Sequence, residues 1–467
     1  MQTAWTRRDM LRTVGALAAA PALAARAAVL PRIGIVGAGM AGVSLAWLLD
    51  GHYDVTLIEA APEIGGNVHG VDVDLDGQQF VVDAGAQFFH PGPYPVYTAL
   101  LTALGLYPPQ AGSAGSHAFK ASITVAAPAS PLPRFVSPVV PDRTWPLLAG
   151  WNGAGTSAFA TCFAAARVRE LQGASYALTL GDWLPTLGLT RDQWEGMLLP
   201  WAASLFSGSI EQARGLSARA AMIFAAKALP ANPLEPLLYY VLTPGMGEVL
   251  RRLLDQCSTV TVRTGAAVQH VVRDSVGGFH LHCADSSVVT VDDLVFASSG
   301  PGTLQLLAGM PGTAPQMSAL QAIEFHDARL TLHTDPVYAP GHPLFWSFLN
   351  CSVEGAFCEA SMWLAPVLAG IPPATAARVW KSWTTHRVQQ PAQILHDVTF
   401  KHMLPTPTTL AAQALLRLMQ GRDGLWFAGG YLRPYDAQET ALLSALGVAL
   451  GLGATSARAR TLERQAD

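Results

Sequence analysis

The stretch Ile33-Gly34-Ile35-Val36-Gly37-Ala38-Gly39-Met40-Ala41-Gly42 constrains this chain more than any other. Glycines in the order G-x-G-x-x-G fall between an apolar, β-branched run and a second apolar run, Val43 to Leu49. That order predicts a strand, a tight turn and a helix. Gly37 permits the turn, Gly39 lets backbone approach a pyrophosphate, and Gly42 lets helix and strand pack closely. The helix N-terminus then offers free N–H groups and a positive dipole end to phosphates. A second strand, Val55-Thr56-Leu57-Ile58, ends at Glu59, whose carboxylate would accept hydrogen bonds from a ribose and repel a 2′-phosphate. Gly37, Gly39, Met40, Ala41, Gly42, Glu59 and Ala60 are therefore candidate dinucleotide contacts. A glycine-rich turn that binds nothing is the competing reading, and the complete βαβ spacing within about 30 residues argues against it.

At 467 residues the chain is long enough for two lobes. Charged residues make up 13% and hydrophobic residues 50%, which suits a large core, an apolar substrate tunnel, or both. With a net charge of −4 and no basic block beyond the N-terminus, nucleic-acid binding has little support. Residues 1–27 read as a targeting segment: Thr6-Arg7-Arg8-Asp9-Met10-Leu11-Arg12 is a twin-arginine pattern, followed by an alanine-rich apolar run. Ala22-Leu23-Ala24 or Ala25-Arg26-Ala27 supplies the small-residue cleavage site. The expectation is export of a folded protein through the twin-arginine translocase, to the periplasm or beyond. Such a route suits a protein that loads a tightly held cofactor in the cytoplasm. The five cysteines show no CxxC spacing and the histidines are scattered, so no metal site is expected.

Beyond the first βαβ unit the chain continues Ile64-Gly65-Gly66-Asn67-Val68-His69-Gly70 and then Asp83-Ala84-Gly85-Ala86-Gln87-Phe88. Near its end come Trp426-Phe427-Ala428-Gly429-Gly430 and a helix beginning near Glu439. An acidic residue, a GG turn and a D-x-G-x-x-F segment in this order resemble the FAD-binding half of the flavin amine oxidase superfamily. The resemblance is greatest to a branch of amine-oxidase-like, NAD/FAD-binding proteins, some of them tied to modified or unsaturated fatty-acid metabolism. It implies an α/β fold: a discontinuous Rossmann-like FAD domain over 28–105, 236–300 and 415–460. A substrate domain with a mixed or antiparallel sheet would occupy 106–235 and 301–414. It also implies non-covalent FAD, held further by Gly65, Gly66, Asn67, Ala84, Gly85, Ala86, Val268, Gly429, Gly430, Glu439 and Thr440. The uncharged run from Thr440 to Ala457 admits a membrane span as an alternative; its glycines favour a buried helix.

Amine oxidases of the superfamily carry a lysine, bridged by water to flavin N5, on the strand that here reads Ala328 to Asp335. None of the four lysines, Lys120, Lys227, Lys381 and Lys401, falls there; Arg329 comes nearest. The aromatic pair that sandwiches an amine is also missing at the usual spacing, although Tyr431 and Tyr435 are near. His69, Arg329, His333 and Tyr435 are the candidates for chemistry, with His333 equally readable as a satisfied core histidine. The tryptophans Trp183, Trp194, Trp201, Trp346 and Trp363 read as core. The expected function is an FAD-dependent oxidoreductase that takes a hydride from a small or lipid-like substrate and is reoxidised by oxygen or another acceptor. Oxidation of an amine or amino acid and turnover of an unsaturated acyl chain are its two forms; a non-catalytic flavin carrier is the competing reading, with NAD as a weaker alternative for the nucleotide.

Overall fold

The first strand and its partners are apolar on both faces, the pattern of a parallel sheet covered on two sides. In the computed structural model, which describes residues 30–109, 115–126, 130–137, 149–230, 235–275 and 277–466, that sheet has five parallel strands. Their order across the sheet is Val260–Arg263, Asp54–Ile58, Arg32–Val36, Asp293–Phe296 and Leu425–Phe427. Distant parts of the chain thus meet in one nucleotide sheet. The helix Met40–Leu49 follows the glycine turn, and all ten of its residues are buried. It packs against the helices Gln438–Gly451 and Gly247–Asp255, which explains why it lacks a polar face. A three-stranded antiparallel sheet, Val268–Arg273, Phe279–Cys283 and Val288–Val291, covers the opposite side with Leu281 and Val291 against Gly34.

A second lobe is built on a seven-stranded mixed sheet. Its order is Ile394–Met403, Phe325–His333, Trp380–Trp383, Phe357–Trp363, Leu349–Glu354, Ile123–Val125 and Phe135–Val136. All its pairings are antiparallel except that of Leu349–Glu354 with Ile123–Val125. Helices between 150 and 228, among them Gly153–Leu171 and Leu199–Phe206, pack on it. The fold class matches the sequence expectation.

Several details differ from the sequence reading. Helices Gly300–Leu307 and Ala314–Gln321, with Ala412 and Leu416 of Pro407–Leu418, share a core with Phe296 and Phe427. These helices therefore pack with the nucleotide sheet. The chain ahead of Leu349 forms the 3-10 turn Pro343–Phe345, and the strand begins at Leu349. The uncharged run near the end is the buried helix Gln438–Gly451. Among the described residues no helix is long and apolar enough to cross a membrane. The twin-arginine segment, 1–27, lies outside the described residues.

Candidate active site

The glycine turn opens onto a continuous cavity of about 1710 Å³ that runs from the nucleotide sheet to the underside of the mixed sheet. A pocket for one small ligand is typically about 300–1,000 Å³, so this volume suits an extended cofactor together with a substrate. Gly37, Gly39, Met40, Ala41, Glu59 and Ala60 line its nucleotide end. The helix that begins at Met40 has no side-chain cap and no acidic residue in its first turn, which leaves its N–H groups for an anion. Glu59 is fixed by two backbone donors, Ala38 N at 2.8 Å and Ala61 N at 2.9 Å.

Further along the wall stand Gly66, Asn67, Gly85, Ala86, Val268, Gly429 and Gly430, all expected from sequence. Gly42, Gly65 and Ala84 lie behind it and act through packing. A Cβ on Gly42 would fall 1.9 Å from the Gly37 carbonyl oxygen, so only glycine lets the helix sit against the turn. A Cβ on Gly85 would likewise fall 2.0 Å from the Asn67 carbonyl oxygen, where the two segments cross. Ala437 and Gln438, at the start of the last long helix, bring a second set of helix N–H groups to the cavity. Beside them Asp436 faces the cavity, its carboxyl raised to about 6 by burial.

Two expected contacts are placed elsewhere. Glu439 is 1% exposed and lies off the cavity wall. Its carboxylate accepts N–H groups of Val96 at 3.1 Å and Tyr97 at 2.7 Å, capping the helix Pro95–Ala103. Thr440 Oγ1 is held by the Ala437 backbone, 2.9 Å from its nitrogen and 2.9 Å from its oxygen, at the start of its own helix.

The candidates for chemistry also separate. His69 and Tyr435 line the cavity; Arg329 and His333 do not. His69 Nε2 is 3.0 Å from His396 Nε2 of the mixed sheet, and burial, then His396, lowers its pKa, with Glu63 opposing. Tyr435 packs edge-on against Phe224 and donates to the Pro93 carbonyl oxygen at 3.1 Å. Tyr431 packs against Phe325, so the two tyrosines are committed to separate partners. Arg329 pairs with Asp397 on the outer side of the sheet. His333 is fully buried between Ser382 Oγ and the Asp335 carbonyl oxygen, both at 2.8 Å: a satisfied core residue.

Lys381 is the residue that sequence reading missed. It lies on Trp380–Trp383, next to Leu332 of the strand where a lysine was sought, and it lines the cavity. Its ammonium donates to the Asp83 carbonyl oxygen at 2.9 Å, the Gly85 carbonyl oxygen at 2.7 Å and Gln87 Oε1 at 3.2 Å. All three protons of a lysine are thereby used. Burial pushes the Lys381 pKa down, and the neighbouring Asp83 carboxyl opposes that shift. Burial pushes Asp83 up, against the Met246 N–H and Lys381. A lone lysine between two tryptophans was the available signal, but its direction depends on strand register. Trp201 and Trp383 also line the cavity, whereas Trp346, Trp363 and Trp380 pack on one another.

A sequence model of flavin containing amine oxidoreductases matches residues 40–328. The chain belongs to this family. For a flavin amine oxidoreductase the cavity carries its own test of cofactor fit. The uncapped helix start at Met40, a second helix start at Ala437 and Gln438, an anchored carboxylate and close glycine crossings suit the pyrophosphate, ribose and ring system of a flavin dinucleotide. Among solved structures, putrescine oxidase bound to putrescine superposes with a TM-score of 0.61 at 15% identity, covering 91% of this chain and 99% of that one. A CLA-producing fatty acid isomerase from P. acnes gives 0.59 at 12% identity, with 89% and 97% covered. Cyclohexylamine oxidase from Brevibacterium oxydans IH-35A gives 0.56 at 14%, with 91% and 99% covered. At these identities the likeness is one of fold. A search of curated protein sequences finds no match.

Proposed function

We propose that this family member is an exported FAD-dependent oxidoreductase acting on an apolar, chain-like substrate held beneath the mixed sheet. The observation that carries the reading is the single cavity joining the nucleotide turn to an apolar chamber. Phe159, Phe163, Trp201, Phe348, Met362 and Phe400 are among the chamber's wall residues. A bound flavin supplies a two-electron acceptor for a hydride; the protein supplies orientation and exclusion of water. The first helix start and Glu59 would hold the pyrophosphate and ribose, the segment from Gly85 to Gln87 would flank the ring system, and Lys381 fixes that segment.

Amine oxidation is the second reading, favoured by the fold shared with putrescine and cyclohexylamine oxidases. Against it stand the separate commitments of Tyr431 and Tyr435 and the apolar lining of the chamber. Anaerobic mixing of the purified protein with long-chain acyl compounds and with amines tests the choice: bleaching of the visible flavin band by amines alone would refute the proposal, and bleaching by neither would support a carrier. None of the five cysteines lines the cavity, in keeping with non-covalent FAD. Acid precipitation should therefore release all the flavin into the supernatant. Export is tested by fractionating cells that express R7K/R8K, which should retain the protein in the cytoplasm.

A further inference from the structure

The cavity side of the mixed sheet is apolar along Leu330, Val398 and Phe400 until its strands reach the cross-strand pair His326 and His402. His402 borders the cavity, its ring stacked between Phe206, 5.9 Å away at 28°, and Trp383, 5.6 Å away at 26°. The His326 ring is 5.8 Å away. Both ring nitrogens of His326 and Nδ1 of His402 are buried with no hydrogen bond of ordinary geometry; the Phe206 backbone lies near both rings and that of Ser207 near His326. Each such group costs about 1–3 kcal/mol unless something satisfies it. Stacking needs only the rings, and phenylalanine would provide it without orphaned nitrogens.

Burial, then His326, holds the His402 pKa down to about 4, with only the Phe206 backbone favouring a proton. Burial also lowers His326. At neutral pH both rings are uncharged, and His402 presents one N–H and one lone pair. Asp327, the acid on the His326 strand nearest in sequence, is paired with Lys401. The patch therefore offers no countercharge to an ammonium group and no positive charge to a carboxylate.

We propose that His402 is the polar anchor of the substrate chamber, taking a hydrogen bond from a single uncharged donor, a hydroxyl above all, on an otherwise apolar ligand. This rests on the chamber being the substrate site. The test is calorimetric binding to the flavin-loaded protein with four decyl probes: 1-decanol, decyl methyl ether, decylammonium and decanoate. Wild type should bind decanol about 10-fold more tightly than the ether, a difference of about 1.4 kcal/mol. H402F should bind both with the ether's affinity. H402Q, which keeps an acceptor, should keep the preference and serves if H402F does not fold. The assignment is overturned if wild type does not distinguish alcohol from ether, as when the patch holds ordered water only, if H402F retains the preference, or if a charged probe binds best. If no decyl probe binds while the flavin stays in place, the chamber reading fails; binding without discrimination sinks the His402 assignment alone.

Discussion

Replacing Lys381 by methionine keeps the length and apolar stem of the side chain and removes its charge. Three acceptors lose their donor: the Asp83 and Gly85 carbonyl oxygens and Gln87 Oε1. Removing one partner from a buried charged cluster costs about 3–5 kcal/mol. The cost should depend on pH, because Asp83 stays behind. Burial raises its folded pKa above the ordinary carboxyl value, so its protonated form is favoured in the native state. Stability from that group is full below the unfolded value and is lost as pH rises through the folded one. In wild type the opposite shift of Lys381, lowered by burial, returns stability as pH rises further. K381M lacks this compensation. Its deficit relative to wild type should therefore grow between pH 6 and pH 8. Urea denaturation of both proteins at the two pH values measures this, with flavin fluorescence reporting cofactor loss in parallel. A deficit that is equal at both values, or smaller at pH 8, would refute the coupling of Lys381 to Asp83.

Three further outcomes follow from the geometry. E59A should weaken FAD binding about 10- to 100-fold in a fluorescence titration, because the ribose loses its acceptor and the Ala38 and Ala61 amides lose theirs. G42A should purify without flavin, since its Cβ would collide with the Gly37 carbonyl oxygen; a yellow G42A with wild-type absorbance would contradict the turn described here. E439A should lower stability by about 2–4 kcal/mol in chemical denaturation through the two uncapped N–H groups of Val96 and Tyr97, while Glu439→Gln, retaining one acceptor, should lose less.

The nucleotide end was legible in the sequence because its code is local. Glycine spacing sets backbone conformation within a few residues, and Glu59 follows on the next strand of the same unit. Gly85 and Gly429 could be placed through family resemblance, which carries long-range order that spacing alone does not. Lys381 and His402 escaped notice for a physical reason: on a strand, a one-residue change of register moves a side chain from the cavity to the outside. Arg329 shows the same limit, since it occupies the expected strand and faces outward to Asp397. Glu439 stood among the cofactor contacts implied by family resemblance. Its real partners lie on the helix Pro95–Ala103, and nothing near Glu439 in the chain announces them.

The position of Leu425–Phe427 has a consequence for synthesis. This strand completes the nucleotide sheet beside Asp293–Phe296, and the helix that follows it packs on the helix rising from the first glycine turn. The turn is synthesised well before that strand, so its cradle stays open until Leu425–Phe427 and the following helix have been made. A polypeptide truncated before Leu425 should therefore stay colourless, however well its first βαβ unit has formed.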